Sequence, residues 1–197
     1  MFHEDTVLEP DTRALLESLG SSLSGFFLVG GTALAIQIGH RLSIDLDFFT
    51  LEPFDTEKML EHLEGLNIRG GVQVEDRAEN TLNLSMANVK VDIIRYRYPL
   101  LRDLVQAASY QMLSIPDIAA MKLAAITNRG SKKDFFDLHF LLEQFSIQEI
   151  LTFYEKKFPG HDTFSVIRSL SYFEDAEDEP DPIMLTDVSW EQVQATA

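Results

Sequence analysis

Residues 26–50, FFLVGGTALAIQIGHRLSIDLDFFT, constrain the fold of this chain more than any other stretch. The apolar run before Gly30-Gly31 predicts a buried strand that ends at the two glycines. A short apolar helix follows, and Gly39 is placed to close it. The next residues, 43–50, alternate in polarity and predict a second strand. A strand, a tight turn, a helix and a strand within 25 residues indicate an α/β unit.

Two carboxylates lie inside this hydrophobic stretch. Because side chains alternate along a strand, Asp45 and Asp47 are expected to share one face with Ser43. The opposite face is expected to form core, with Ile44, Leu46 and Phe48. Carboxylates about 6 to 7 Å apart along a strand repel each other unless a cation lies between them. The pair therefore indicates either a Mg²⁺ site in a cleft or a solvated edge strand.

Two further features favour the metal site. Asp92 stands between Val91 and Ile93 in the strand-like segment VKVDIIRY, where an unpaired carboxylate would be costly to bury. Three carboxylates from two strands match a two-metal site for phosphoryl transfer. Gly30-Gly31, at the start of a helix, leaves backbone N–H groups bare as a phosphate cradle.

Elsewhere the chain divides into an α/β part and a helical part. Helices are predicted in DTRALLESLGSSL, with Asp11 as N-cap, and in DTEKMLEHLEGL, with Asp55 as N-cap. Strands are predicted in VQVEDR, TLNLSMA and VKVDIIRY, and after Pro99 the chain is expected to be helical. We therefore predict an α/β core over residues 1–98, a helical half over 99–173 that completes the active site, and an acidic tail over 174–197. The tail is expected to be extended and anchored by Ile183, Met184 and Trp190.

Composition excludes several classes of protein. The 197 residues contain no cysteine, so disulfides, thiolate metal sites and cysteine nucleophiles are impossible. A net charge of −16 argues against unselective nucleic-acid binding, which needs surplus Lys and Arg. The longest apolar run is too short to cross a membrane and no signal sequence is visible, so we expect a cytoplasmic protein.

The charge is unevenly distributed. Residues 174–197 contain eight acids and no base, whereas residues 90–133 contain eight bases and three acids. Such a basic zone on an acidic protein suits a compact polyanion such as a triphosphate, although solvated helix faces would give the same composition.

These motifs, in this order along the chain, resemble those of a known group of enzymes. Val29-Gly30-Gly31, then Asp45-Leu46-Asp47, then Val91-Asp92-Ile93 resembles the polymerase β-like nucleotidyltransferases. More narrowly, LVGGTALAIQIGHRLSIDLDFFT is similar to the AbiEii/AbiGii toxin family. The segments MKLAAI and RGSKKDFFDL also fit that family's pattern, which they match with Lys122, Arg129, Lys133, Asp134 and Asp137.

The resemblance implies an α+β fold: a nucleotidyltransferase-like mixed sheet flanked by helices, followed by a helical half. It implies an enzyme that transfers a nucleotide from an NTP to an acceptor hydroxyl, with Mg²⁺ as cofactor. Such a protein is expected to be the toxin of a toxin–antitoxin or phage-defence pair, with a cognate antitoxin as partner and tRNA as an acceptor. The expected metal ligands are Asp45, Asp47 and Asp92, and the expected nucleotide-binding residues are Gly30, Gly31, Thr32, Ser43 and Arg41.

Three charged residues of the helical half have roles that follow from their positions in predicted helices as well as from the resemblance. Lys122 lies in an apolar helix and needs an anionic partner or a route to water, so we expect it to bind nucleotide phosphates. Asp134 is expected to orient either Lys122 or the contacts to the nucleotide base. Asp137, on the same helix face, is expected to pair with Arg129 or Lys133. His40 and Arg41 either cap the short helix or reach a phosphate.

Two other functions fit the sequence. A nucleotidyltransferase fold that binds NTP without chemistry would need no complete acidic triad. A small-molecule nucleotidyltransferase of the aminoglycoside-modifying type would suit an acidic surface, because its acceptors are cationic.

Overall fold

A computed structural model describes residues 2–196 of the chain. The helices are α1 (Glu4–Val7), α2 (Pro10–Ser22), α3 (Gly30–Ile38), α4 (Thr56–Gly65), α5 (Ile115–Asn128), α6 (Lys132–Leu142), α7 (Ile147–Lys157), α8 (Thr163–Ser169), α9 (Glu174–Glu177) and α10 (Trp190–Thr196). The strands are β1 (Phe27–Leu28), β2 (Leu46–Thr50), β3 (Val72–Ala78), β4 (Thr81–Met86), β5 (Val89–Arg95), β6 (Val105–Gln106) and β7 (Gln111–Met112).

The strands form one mixed sheet in the order β3-β4-β5-β2-β1-β7-β6. β2 runs parallel to β5, and β1 runs parallel to β7. The remaining neighbours are antiparallel. Helices flank this sheet, so the predicted α+β fold with a mixed sheet is confirmed.

The two faces of β2 and β5 differ in polarity. Leu46, Phe48 and Val91 are buried in the core, whereas Asp47 and Asp92 point to the opposite face and are half-buried. This alternation is the one that the sequence predicts for residues 46–50.

The alternation does not extend back to residue 44. The expectation that Ile44 faces the core is wrong, because its side chain is 65% exposed. The strand begins only at Leu46, so the segment before it does not follow the pleat of the sheet.

The turn from β1 into α3 depends on Gly30. This residue has a φ of 70°, in the left-handed region, where a side chain is disfavoured. A Cβ there would also lie 2.8 Å from Oδ2 of Asp47. The predicted helix is confirmed as α3, with Gly39 as its left-handed C-cap.

Two other expectations fail locally. The prediction that the chain is purely helical after Pro99 is wrong, because β6 and β7 extend the sheet and β7 pairs with β1. Each strand has only two residues, too few to show alternation in the sequence. Asp11 is not the N-cap of α2, because Pro10 occupies the first helical turn and Glu9 precedes it.

A buried ion pair fastens the segment after β5 to the helices. Lys157 on α7 and Asp117 on α5 have no exposed side-chain surface, and Nζ lies 2.5 Å from Oδ1. Lys157 also donates to the Pro99 carbonyl, while Asp117 accepts from the backbone N–H groups of Leu101 and Arg102. These contacts tie α5 and α7 to each other and to the segment after β5.

The acidic tail is not fully extended, since it contains α9 and α10. Trp190 is 8% exposed and packs against Phe135 and Phe136 of α6, so its predicted anchoring role is confirmed. Met184 forms a bridge with Arg41. The Ile183 side chain is 67% exposed, and this residue holds the tail through its backbone carbonyl, which accepts a hydrogen bond from the N–H of Leu42.

None of the helices within residues 2–196 is both long and apolar enough to cross a membrane.

Candidate active site

Asp47 and Asp92 are directly opposite each other on the parallel strands β2 and β5. Neighbouring strands lie about 4.8 Å apart, so the two carboxylates leave the sheet side by side. Asp45 is two residues before Asp47, just outside the strand. Burial, then the charges of Asp92 and Asp45, raise the pKa of Asp47 to about 6. Asp47 and Asp92 are therefore side by side, and Asp45 is near enough for its charge to act on Asp47.

Lysines partner two of these carboxylates. Nζ of Lys90 is 3.1 Å from Oδ2 of Asp92, and Nζ of Lys133 is 3.8 Å from Oδ2 of Asp45. The other oxygen of Asp92 accepts a 2.8 Å hydrogen bond from Nδ2 of Asn83.

The first turn of α3 meets this cluster. The first N–H groups of a helix have no acceptor within the helix, and they attract anions. Gly30 lets Asp47 approach this turn, as the 2.8 Å distance to its missing Cβ indicates. A Cβ at Gly31 would clash with the guanidinium of Arg41. A side chain at either glycine position would therefore clash with a neighbouring residue of the site.

Thr32 and Ser43 lie behind the carboxylates and are both buried. The Thr32 hydroxyl donates to the backbone carbonyl of Asp45, so the 2.7 Å bond between Thr32 and Ser43 has Ser43 as donor. These hydroxyls tie the segment before β2 to α3. They fix the position of Asp45 and are already hydrogen-bonded within the protein.

A buried ion-pair network centred on Asp137 lies beside this segment. The Arg41 guanidinium donates to both oxygens of Asp137, at 2.6 and 3.0 Å. Lys122 Nζ lies 2.5 Å from Oδ2, and His40 Nε2 lies 2.7 Å from Oδ1. Burial would raise the pKa of Asp137, but Arg41 and Lys122 hold it well below its ordinary value. The expected partners of Asp137, Arg129 and Lys133, are therefore wrong.

Asp134 joins the same network. Its carboxylate accepts from Lys122 at 2.9 Å, from Arg129 at 2.8 Å and from Ser131 at 2.7 Å. Burial raises its pKa, but Lys122 and Arg129 outweigh this and lower it to about 2. The expected contact between Asp134 and Lys122 is present.

The network carries a positive charge next to the carboxylates. It contains the cations Arg41, Lys122 and Arg129, the anions Asp134 and Asp137, and His40, whose pKa is lowered by burial. Three cations against two anions leave one positive charge. This charge is close enough to act on Asp47, whose pKa Lys122 lowers slightly.

Lys122 and Arg41 are less accessible than the sequence suggests. Both side chains are only 6% exposed, and both bind Asp137. Their contact with a nucleotide stays a prediction, and it would require them to leave a carboxylate. Arg41 does not cap α3, whose C-cap is Gly39.

The carboxylates suit Mg²⁺ in their chemistry. Mg²⁺ takes hard oxygen ligands and is held by one or two carboxylates completed by water and phosphate oxygens. Burial and then repulsion by Asp92 and Asp45 raise the pKa of Asp47, and a divalent cation would relieve this repulsion. As they stand, no three His, Asp or Glu side chains within residues 2–196 converge closely enough to hold a metal ion. A cation that entered would compete with Lys90 for Asp92 and with Lys133 for Asp45.

Asn83 and Lys90 were missed by the sequence argument. The β4–β5 hairpin turns at Ala87 and Asn88, both with positive φ, and this register places Asn83 opposite Asp92. The signal was weak, because Ala-Asn is not one of the common sequences of a two-residue turn.

The chain is similar in sequence to known proteins. The family model "Nucleotidyl transferase AbiEii toxin, Type IV TA system" matches residues 13–196. An uncharacterized protein of Aquifex aeolicus is 36% identical over 198 residues, which cover 95% of this chain and 92% of that protein.

Two solved structures share the fold. MenT4, a nucleotidyltransferase toxin of Mycobacterium tuberculosis, superposes with a TM-score of 0.60 at 17% identity, over 95% of this chain and 84% of its own. JHP933 of Helicobacter pylori gives a TM-score of 0.56 at 18% identity, over 94% and 85%. With the family match across nearly the whole sequence, this chain belongs to the AbiEii nucleotidyl transferase toxin family and is a nucleotidyltransferase.

Proposed function

We propose that this protein transfers a nucleotide from a Mg²⁺-bound NTP to an acceptor hydroxyl of tRNA, with release of pyrophosphate, in the cytoplasm. The observation that carries the proposal is the pairing of Asp47 and Asp92 across β2 and β5, with Asp45 two residues before Asp47, at the N-terminus of α3. A carboxylate cluster beside bare helix N–H groups brings a cation site and a phosphate site together.

Each part of the site has a role in this reaction. Asp45, Asp47 and Asp92 would hold Mg²⁺, which neutralises charge on the phosphoryl group and its leaving oxygen when bound. The first turn of α3, at Gly30 and Gly31, binds the phosphates through backbone N–H groups. Asp92 accepts the proton of the attacking hydroxyl or aligns its oxygen.

The buried ion-pair network of Asp134 and Asp137 contributes to the stabilisation of the transition state electrostatically. Its net positive charge stabilises the negative charge that develops on the transferred phosphoryl group, without new reorganisation at the moment of reaction. Asp134 keeps Lys122 and Arg129 in place through its bonds to both. Lys122 acts through this field, or directly once it releases Asp137.

The toxin role comes from the family, and we extend it to growth inhibition relieved by a cognate antitoxin, with phage defence as the biological setting. Induced expression in a bacterial host should stop growth. An Asp47→Asn variant made at the same level should not, since it lacks a metal ligand. Equal inhibition by both proteins would contradict a toxicity that depends on transfer.

One experiment identifies the acceptor. The protein is incubated with each α-labelled NTP in turn, with Mg²⁺ and total RNA, and the products are separated by size. Label in a tRNA-sized band supports the proposal. A protein that binds NTP but labels no RNA would instead be a non-catalytic module or a small-molecule transferase.

The small-molecule alternative has one observation in its favour. The net charge of −16 would attract a cationic acceptor such as an aminoglycoside and repel RNA. The same assay with aminoglycosides in place of RNA decides between the two acceptors.

A further inference from the structure

Asp92 is held by two partners of different chemistry. Nδ2 of Asn83 donates to Oδ1 at 2.8 Å, from the neighbouring strand β4. Nζ of Lys90 approaches Oδ2 at 3.1 Å, from two residues earlier on β5. One partner is a neutral amide and the other is a cation, so they act differently on a ligand that binds the carboxylate.

Asn83 has little freedom to move. It is directly opposite Asp92 in the antiparallel pair β4–β5, where facing Cβ atoms lie about 5 Å apart. Its neighbours Leu82 and Leu84 are fully buried and fix the strand to the core. The amide therefore orients Oδ1 through rigid backbone.

Lys90 is free to leave. Its side chain is 51% exposed, and an ion pair of this kind contributes little because water screens it and the long side chain loses entropy. A cation that enters the site competes with the Lys90 ammonium for Oδ2. It does not compete with Asn83, which holds the other oxygen.

We propose that Asn83 is a positioning residue that turns Oδ2 of Asp92 toward the cation site, and that Lys90 is a built-in competitor for that oxygen. This inference rests on the proposed function, because it concerns the same carboxylate. It assigns opposite effects to two residues that touch the same side chain.

The test uses Mn²⁺ as a spectroscopic probe for the cation site. Mn²⁺ binding to the full-length protein is measured by electron paramagnetic resonance. Asn83→Leu, which keeps the volume but removes the donor, should weaken binding about 10- to 100-fold, as for other outer partners of metal ligands. Lys90→Met should tighten binding by roughly two- to fivefold, because a competing cation is removed.

Ser85→Ala is the matched control. Ser85 lies on the same strand and the same face as Asn83, opposite Lys90, and its replacement should leave Mn²⁺ affinity unchanged. Thermal unfolding of each variant separates misfolding from loss of the donor. Asn83→Thr, a second variant with a hydroxyl donor and good strand propensity, should bind Mn²⁺ more tightly than Asn83→Leu.

The kinetic readout distinguishes positioning from structural support. Asn83→Leu should lower kcat for nucleotide transfer while the KM for NTP changes little, since the phosphate contacts are intact. The proposal would be overturned if Asn83→Leu left the Mn²⁺ affinity unchanged, or if Lys90→Met weakened Mn²⁺ binding as Asn83→Leu does. Failure of the wild-type protein to transfer any nucleotide would overturn the proposed function instead, while the opposite shifts in Mn²⁺ affinity would still support the positioning.

Discussion

Asp47 is a half-buried carboxylate placed beside Asp45 and Asp92 by the register of two parallel strands. Its pKa of about 6 lies above the ordinary value of 3.8, because burial and the two neighbours disfavour its charge. A raised carboxyl pKa means that ionisation opposes folding: there is no penalty below pH 3.8, and the full penalty is present above pH 6. The site is thus held in a state that a cation stabilises.

We expect Asp47→Asn to stabilise the metal-free protein at pH 7.5 by on the order of 2 kcal/mol, because the variant has no charge to bury. At pH 4 the gain should vanish, since wild-type Asp47 is then largely protonated in the folded state. Urea unfolding in EDTA at both pH values measures this, with the exposed Asp76→Asn as control. A less stable variant at pH 7.5 would contradict the electrostatic account.

The substitution Lys122→Met tests whether the ammonium in the buried network contributes to nucleotide binding and transfer. The substitution keeps the apolar stem and removes the ammonium that binds Asp134 and Asp137. Nucleotide binding should weaken and transfer should be lost, because the positive field behind the phosphates falls. Normal binding and turnover in a titration and a transfer assay would show that Lys122 only packs.

At the scale of elements, the order of strands and helices follows from the sequence wherever a segment is long enough to show its period. The α3 helix was predictable because its apolar segment is bounded by glycines. The strands β2 to β5 were predictable because their residues form short strand-like segments. The two-residue strands β6 and β7 were not, because pairing with β1 alone defines them.

The same limit applies to the site. Asp45, Asp47 and Asp92 were recognisable from spacing along the chain. The bonds of Asp137 to Arg41 and His40 join residues 96 and 97 positions apart, so only tertiary packing of α6 against α3 reveals them. The contact of Asn83 with Asp92 depends on the register of the β4–β5 hairpin, whose turn sequence is uncommon.

Asp137 joins α6 to α5 and to the segment before β2, so its loss should act on whole elements. Asp137→Ala leaves Arg41 and Lys122 buried with fewer partners, and we expect a loss of about 3 to 5 kcal/mol in the free energy of unfolding. Chemical denaturation measures it, with Asp76→Ala as control. A loss below about 1 kcal/mol, the size expected for an exposed pair, would show that the network is solvated.

At the scale of the whole molecule, the acidic tail meets the basic zone of residues 90–133 at one end. The backbone N–H of Lys132 donates to Glu179 at 2.8 Å, and its ammonium lies 3.2 Å from Asp181. Trp190 covers the same lysine, with Nζ 5.2 Å from its ring centre. The tail is therefore both anchored by Trp190 and paired with one residue of the basic zone, Lys132.

We expect the exposed acids of this tail to repel unselective RNA. The triple variant Asp175→Asn, Asp178→Asn and Asp187→Asn keeps the tail's contacts with Lys132. It should bind RNA more tightly at low salt, and the gain should shrink at high salt, because the Debye length shortens from about 30 Å at 0.01 M to about 3 Å at 1 M. Filter binding measures this. A variant with Glu57, Glu61 and Glu64 of α4 changed to Gln has the same net charge and serves as control, and an equal gain there would leave no special role for the tail.

We expect nucleotide transfer to depend on the three carboxylates beside α3. The most direct measurement is label transferred from an α-labelled NTP to RNA by the wild-type protein and by Asp45→Asn, Asp47→Asn and Asp92→Asn, each shown by circular dichroism to be folded. We predict Mg²⁺-dependent labelling by the wild type and a loss of at least about 100-fold in each variant. Labelling at the wild-type rate by any folded variant would contradict the assignment of that carboxylate.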